Sequence, residues 1–155
     1  MLNDRRQLAT EIGLLILRLG VGGYLLTHGI GKLRMLQAGQ FEQFGDPIGL
    51  GNVASLVLIT VAEFLGSLLV LLGLGTRAAA ALIVVAMGVA AFVAHGADPW
   101  TMEQGYLLFM SGQAESWASR EPALLYLVPA LTLIFTGAGR LSLDRMIGAV
   151  LAARR

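Results

Sequence analysis

The chain has 155 residues, of which 56% are hydrophobic and only 14% are charged, and its formal net charge is +1. Soluble domains carry about 25% charged residues, so this composition indicates a membrane protein, and the length fits a single domain. A near-neutral charge without a sizeable basic patch excludes nucleic-acid binding. The sequence has no cysteine, which excludes disulfides, thiol catalysis and cysteine-ligated zinc or iron–sulfur centres.

Four apolar runs follow one another along the chain, at residues 12–31, 52–74, 78–95 and 122–139. A helix needs about 20 largely apolar residues to cross a bilayer. The third run contains AAAALIVVAMGVAAFVA, which has no polar face of the kind that helices in soluble bundles present to water. The sequence therefore predicts an all-α fold in which one domain, residues 1–155, forms a bundle of four transmembrane helices.

Basic residues are distributed unevenly between the two sides of these predicted helices. Seven lie in the terminal segments and the turn after the second run, namely Arg5, Arg6, Arg77, Arg140, Arg145, Arg154 and Arg155. Three lie in the two longer connections, namely Lys32, Arg34 and Arg120. Because lysine and arginine favour the cytoplasmic side, the counts predict that both termini are cytoplasmic and that residues 96–121 form an outer loop.

Two segments outside the apolar runs have amphipathic character. Residues 142–154 place apolar side chains at helical spacing behind Ser142, a candidate N-cap, which predicts an amphipathic helix lying on the inner membrane surface. The outer loop holds both tryptophans, Trp100 and Trp117, on either side of a short apolar patch. Tryptophan is common at the headgroup level, so this loop is interpreted as an interfacial anchor or as a lid.

Arg18 and Glu63 are charged residues inside the first two apolar runs. Burial of a charge in hydrocarbon costs at least about 2.5–3.5 kcal/mol, so such residues usually pair or face a cavity. Counting about 1.5 Å of rise per residue from the predicted inner boundary puts the two within about 6 Å in depth. We expect an Arg18–Glu63 ion pair that either only fixes the packing of the two helices or also polarises a ligand or relays protons.

Both histidines of the chain are predicted to reach the same depth near the outer surface. His28 lies on the stripe of Arg18 in the first run, and His95 ends the third run. Asp98 follows His95 by three residues, and Glu121 opens the fourth run on the same side. These positions predict an outward-facing polar vestibule with Glu63 at its floor.

Four interpretations of this vestibule remain open. His28, His95 and Tyr24 could donate hydrogen bonds to a quinone head group beside an apolar channel. The two histidines could instead ligate a haem iron from opposite faces, or hold a metal together with a carboxylate. The alternative is that both are ordinary interfacial histidines bonded to backbone or water.

Several short motifs of the chain, read together, resemble the DoxX/DoxD family of small membrane proteins. They are Arg18-Leu-Gly, His28-Gly29 with Lys32, Glu63-Phe-Leu-Gly66, Gly73-Leu-Gly75-Thr-Arg77 and Gly137-Ala-Gly-Arg140-Leu-Ser-Leu-Asp144. The resemblance implies four transmembrane helices in the cytoplasmic (inner) membrane and adds Lys32 to the candidate polar core. Family members often have proline where Ala138 stands, and residues 101–119 look like an insertion.

The family includes subunits of thiosulfate:quinone oxidoreductase and members of oxidative-stress complexes, whereas distant relatives resemble cargo receptors or assembly chaperones. The leading hypothesis is therefore a redox-associated accessory subunit, not itself clearly catalytic, that binds quinone or a similar apolar ligand in the outer half of the bundle. The alternatives are a non-catalytic scaffold or assembly factor, and a small transporter or proton path through Arg18, Glu63 and His28. Expected partners are the lipid bilayer, other membrane or soluble redox subunits, and a second copy of the chain.

Overall fold

The computed structural model describes residues 2–154, with side chains from Asp4 onward. Met1 and Arg155 lie outside the described residues, and Arg155 is one of the arginines that were counted above to predict the orientation. Within that range the chain forms helices joined by turns and loops, with no strand, which confirms the all-α prediction. The helices are α1 (Leu2–Gln37), α2 (Asn52–Leu72), α3 (Thr76–Ala94), α4 (Met102–Met110), α5 (Glu121–Thr136) and α6 (Leu143–Ala153).

Three of these helices, α1, α2 and α3, are long and apolar enough to cross a membrane, and α5 is a shorter apolar helix. Large apolar side chains cover their outer surfaces: Ile16 is 64% exposed, Val85 66% and Phe135 74%. A soluble bundle would bury such side chains, because exposed apolar patches of this extent are rare in water. The chain is therefore a membrane protein whose outer surface is suited to lipid.

The four apolar helices pack side by side in the order α1, α2, α3 and α5, and α5 also touches α1. The buried core contains larger side chains from each helix, including Leu25, Val70, Ile83 and Leu133. Alanines of α3 and α5 belong to the same buried core, namely Ala79, Ala80, Ala91, Ala123 and Ala130. Small residues allow helix backbones to approach closely, which favours packing where no hydrophobic effect draws helices together.

Helix bounds differ from the apolar runs in two places. Helix α1 begins ten residues before the first run and extends to Gln37, because hydropathy marks the part that suits a membrane and not the end of the helix. The predicted outer loop contains α4, which is too short to span a bilayer. Thr101 caps α4 by accepting a hydrogen bond from Gln104 N at 3.3 Å, and Glu121 accepts one from Met102 N at 2.7 Å.

Arg18 holds together the end of the bundle at which α2 ends and α6 begins. Its side chain is 2% exposed and donates to backbone carbonyls in two segments. Nε bonds to Val70 O at 3.0 Å and Nη2 to Leu71 O at 3.0 Å, in the last turn of α2. Nη1 bonds to Ala138 O at 2.8 Å and to Leu141 O at 2.7 Å, in the connection between α5 and α6.

The predicted Arg18–Glu63 ion pair is wrong, because Arg18 bonds to carbonyls and Glu63 pairs with Lys32 at 2.7 Å. The depth estimate placed the inner boundaries of the two helices incorrectly. Gly22 packs against Ser67 and Leu71, so a side chain there would meet Leu71 Cγ at 2.7 Å. In this antiparallel arrangement Arg18 lies beside the last turn of α2, about 11 Å along the helix from Glu63.

Asp144 closes the same end of the bundle. Its carboxylate accepts hydrogen bonds from Gly75 N at 2.7 Å and Thr76 N at 3.1 Å, where α3 begins without another side-chain cap. Its own N–H donates to Gly73 O at 2.9 Å. The start of α6 is thereby fastened to the α2–α3 turn, and Ser142 caps α6 as predicted, accepting from Arg145 N at 3.3 Å.

Replacing Arg18 by lysine should destabilise the protein by about 3 kcal/mol, because lysine cannot reach both pairs of carbonyls and leaves buried acceptors without donors. Unfolding in detergent, followed by circular dichroism against denaturant, measures the change. Arg34→Lys, an exposed arginine of the same helix, is the control and should be neutral. An Arg18→Lys protein as stable as the parent would contradict this account.

Candidate functional site

A cavity of about 480 Å³ lies among α1, α2, α3 and α5, in the half of the bundle away from Arg18. Its volume falls within the range of about 300–1,000 Å³ that is typical of small-molecule sites. The walls are mainly apolar, with contributions that include Leu25, Ile59, Ala62, Met87 and Ala90. Polar side chains join them toward the end of the bundle where α1 and α3 finish: His28, Lys32, Glu63, His95 and Tyr126.

The ion pair of this cavity joins Lys32 Nζ to Glu63 Oε2 at 2.7 Å, with side chains 21% and 6% exposed. Glu63 lies in a π-helical segment of α2, Val61–Gly66. Such segments widen one helical turn and occur frequently at functional sites. Helical side chains lean toward the N-terminus of their own helix, so Lys32 extends back along α1 to the level of Glu63. The cavity therefore contains a paired, mostly buried charge.

Gly29 brings α1 against the backbone of that π-helical segment. A side chain at this position would meet Phe64 N at 2.5 Å and the carbonyl carbon of Glu63 at 2.6 Å. Both are backbone atoms, which cannot move aside as a flexible side chain can. The glycine therefore permits the close contact of α1 and α2 that sets Lys32 opposite Glu63.

His28 and Tyr126 form an aromatic pair at the cavity wall. Their ring centroids are 5.8 Å apart and their planes meet at 73°, an edge-on arrangement. Tyr126 comes from α5, and its hydroxyl is a polar group within an apolar helix. The residue pattern did not single out Tyr126, although a hydroxyl-bearing aromatic within the first two turns of the fourth predicted span was the available signal.

His95 lines the cavity from the end of α3, directly after a second π-helical segment, Ala90–Ala94. Its Nδ1 lies 2.7 Å from Asp98 Oδ2. An ionised carboxylate only accepts hydrogen bonds, so Nδ1 carries the proton and Nε2 is left to interact with a ligand. Asp98 thus positions the imidazole and does not itself line the cavity.

The structure gathers four of the sequence-predicted residues at the cavity: His28, Lys32, Glu63 and His95. Arg18 lies in the other half of the bundle, and Tyr24 is 72% exposed on the outer face of α1. Glu121 is bonded to Met102 N, as described above. Among the described residues no three histidine or carboxylate side chains are placed to hold a metal ion.

The cavity opens sideways between α2 and α3. Leu58 on α2 and Val85 on α3 both line it, yet they are 51% and 66% exposed on the outer surface. Such high exposure of two side chains that line the cavity indicates a mouth between these helices. Because this mouth is flanked by apolar side chains on membrane-suited helices, it faces the region that lipid tails would occupy.

Two connections cover the end of the cavity at which α1 and α3 finish. Phe44, Pro47 and Ile48 come from the α1–α2 connection, and residues 117–119 come from the connection between α4 and α5. Asp46 fixes the first of these. Its carboxylate accepts from Ser55 Oγ at 2.6 Å, Gly51 N at 2.7 Å and Leu50 N at 3.1 Å. These hydrogen bonds lower the pKa of Asp46 below its usual value, and the bond from Ser55 has the largest effect.

Replacing Gly29 by alanine should lower the free energy of unfolding by about 1–3 kcal/mol, because the added methyl group overpacks the contact with α2. Gly31→Ala is the matched control, since nothing lies within 4 Å of a side chain there. The control should be neutral or slightly stabilising, as alanine favours helix over glycine. Equal stabilities of the two variants would show that the α1–α2 contact is looser than described.

The Asp46 hydrogen bonds should make stability fall in acid. Because the folded-state pKa is depressed, their contribution is present above the unfolded pKa of about 3.9 and is lost as pH falls through the folded value. Melting temperatures of the parent and Asp46→Asn between pH 7 and pH 3 test this. The variant should be less stable at pH 7 and lose less stability in acid, whereas parallel profiles would contradict the prediction.

Comparison with known proteins identifies the family. The DoxX family model matches residues 13–96, which is more than half of the chain. An uncharacterized protein of Haemophilus influenzae is 34% identical over 134 residues, covering 84% of this chain and 87% of that protein. No solved structure matches. The chain belongs to the DoxX family of membrane proteins.

Proposed function

We propose that this protein binds an apolar small molecule with a hydrogen-bonding head group, of the quinone class, and serves as an accessory subunit of a membrane redox complex. The observation that carries the proposal is the cavity, which combines apolar walls, a lateral mouth and a polar end. Ligand sites of this kind pair a large apolar surface with a few polar groups that fix orientation.

The lateral mouth favours a ligand that arrives from the bilayer. A quinone with an isoprenoid tail is dissolved in lipid, so a mouth between α2 and α3 lets the head group enter while the tail remains among lipid chains. The apolar walls at Leu25, Met87 and Ala90 stabilise the bound portion by van der Waals contact, because a ligand that is already dissolved in lipid gains no hydrophobic free energy on entering the cavity.

The polar end supplies both donors and acceptors for the head group. Lys32 and the hydroxyl of Tyr126 donate hydrogen bonds to a carbonyl oxygen, while Nε2 of His95 accepts one from a hydroxyl. Together they suit a ring that alternates between quinone and hydroquinone forms. The described residues offer no electron carrier of their own, so electrons would come from a partner subunit, and this chain's part is to bind and orient.

The orientation of the chain belongs to the same proposal. With both termini on the cytoplasmic side of the inner membrane, the cavity lies in the outer half of the bilayer. Helix α6 exposes apolar side chains along its length, namely Met146, Ile147, Val150 and Leu151. Lying on the inner membrane surface would remove them from water.

The proposal predicts quinone binding that depends on Tyr126. Protein purified in detergent should carry extractable quinone, and added decylubiquinone should raise its melting temperature. At a free decylubiquinone concentration of a hundred times Kd, binding should increase the free energy of unfolding by about 2.7 kcal/mol. Tyr126→Phe removes one hydrogen bond and should weaken binding about fivefold. Tyr24→Phe deletes the same hydroxyl outside the cavity and should leave affinity unchanged.

Two results would count against the proposal. The first is a protein that contains no quinone after extraction and shows no shift with decylubiquinone. The second is an equal affinity loss in Tyr126→Phe and Tyr24→Phe, because the effect would then not come from the cavity.

A further inference from the structure

Helix α4 carries a row of exposed apolar side chains along one face. The row, which we call the α4 stripe, consists of residues spaced i, i+4, i+7 and i+8: Met102, Tyr106, Phe109 and Met110. Their exposed fractions lie between 40% and 63%, and this spacing places them on a single side of a helix. Elsewhere on the helix surface Glu103 and Gln104 are exposed as well. The helix is therefore amphipathic, and the described part of the chain leaves its apolar face largely open.

The helix is attached to the bundle without covering that face. Gly105 is its buried residue, and it packs so closely against the connection to α5 that a side chain there would collide with the carbonyl oxygen of Ala118. The start of α4 is also fixed, because Met102 N donates to the carboxylate of Glu121, the first residue of α5, at 2.7 Å. Helix α4 is therefore held beside the end of the bundle at which α5 begins.

Helix α5 packs among the membrane-suited helices but is shorter than the hydrocarbon core of a bilayer. Its 16 residues rise about 24 Å, whereas the core is about 30 Å thick. The end of α5 away from α4 lies at a polar boundary, because Arg77, an exposed cation, donates to Phe135 O at 3.2 Å in the last turn. A charge is costly in hydrocarbon, so the missing length of about 6 Å falls on the side of α4. The start of α5, and α4 beside it, therefore lie near the depth at which acyl chains meet headgroups.

Exposed tryptophans stand before and after α4 in the chain. Trp100 and Trp117 are each 56% exposed. Trp100 meets Phe92, an exposed residue of α3, edge-on with ring centroids 6.5 Å apart, and Trp117 meets Tyr106 of the stripe in the same manner at 5.6 Å. Tryptophan and tyrosine are enriched at bilayer interfaces, because the ring is apolar while its N–H or O–H stays hydrated. The apolar outer surface of α3 is thereby continued toward α4.

We propose that α4 binds the lipid bilayer as an interfacial helix, with the α4 stripe among the upper acyl chains and Glu103 among the headgroups. Such a helix buries its apolar face about 5–10 Å into the boundary between headgroups and acyl chains, a depth that matches the length that α5 lacks. The inference does not depend on the ligand of the cavity, because no residue of the α4 stripe lines it.

The stripe fits a lipid surface better than a protein partner. A stable protein interface takes about 20–30 residues from each side, many more than the four side chains of the stripe. The exposed charges nearby are acidic, namely Glu103 and Glu115. Anionic lipids attract basic segments, so these carboxylates indicate zwitterionic phospholipid as the surface that α4 binds.

The test places a single tryptophan on either side of α4 in the full chain, reconstituted in phosphatidylcholine bilayers. The parent combines Trp100→Phe with Trp117→Phe, which removes both natural tryptophans. Phe109→Trp then puts the reporter on the stripe, and Leu107→Trp is the matched control. Leu107 is 57% exposed, lies about 200° around the helix from Phe109, and follows Glu103 by one turn.

Lipid brominated in the upper part of its acyl chains should quench most of the Phe109→Trp fluorescence and little of the Leu107→Trp fluorescence. Acrylamide, a neutral quencher in water that Glu103 does not repel, should give the reverse order. Bromine near the chain ends should quench the stripe reporter less than bromine near the headgroups, because an interfacial helix stays shallow. Trp117 in Trp100→Phe is a second reporter that needs no change on α4, and it should show the same preference for shallow bromine.

Equal quenching of the Phe109→Trp and Leu107→Trp reporters by brominated lipid would overturn the inference, because α4 would then have no lipid-facing side. Free access of acrylamide to the Phe109→Trp reporter would overturn it by placing the stripe in water. Protection from both quenchers that disappears on dilution with lipid would overturn it by showing that a second copy covers the stripe. Should the α4 variants fail to fold, stronger quenching of Trp117 by acrylamide than by brominated lipid overturns it. No quinone is present in this test, so the proposed function is decided by its own experiment.

Discussion

The contact between the guanidinium of Arg18 and four backbone carbonyls determines how the rest of the bundle is arranged. A cation within an apolar bundle must be compensated, and here the acceptors come from the last turn of α2 and the α5–α6 connection. One side chain thereby joins three separate parts of the chain. Because Arg18 is satisfied by carbonyls, the carboxylate of Glu63 is free to pair elsewhere.

The motifs that resemble the DoxX family divide in space into two groups with different roles. Arg18, the Gly73–Gly75 turn and the segment ending at Asp144 meet at one end, where Asp144 also caps α3. His28, Gly29, Lys32 and Glu63 meet at the cavity. The first group closes the bundle, and the second shapes a site, so a single family pattern contains both a structural and a candidate functional element.

Two helical irregularities and one glycine shape the cavity. The π-helical segments in α2 and α3 contain or precede Glu63 and His95, and the bare backbone of Gly29 lets α1 approach the first of them. The matched family portion thus provides four polar side chains of the site, and Tyr126 of α5 lies beyond it. The connection between α4 and α5 then adds a wall at residues 117–119, beyond the residues that the family model matches.

The amino-acid pattern alone predicts the helical fold, its suitability for a membrane and the grouping of His28, His95 and Glu63 near one end, because hydropathy and helical rise limit the depth of each residue to within a turn or two. Lys32 joined this group through the family resemblance. Helix α4 and the cavity wall at Ser119 were not predicted, because a short capped helix lacks the long apolar run by which a membrane span is recognised. The pairing of the charged side chains follows from the packing of the helices and not from the residue pattern. The partner of Arg18 depends on how far α1 slides along α2, and that offset is set by backbone contacts at Gly22 and Gly29, which composition and spacing do not encode.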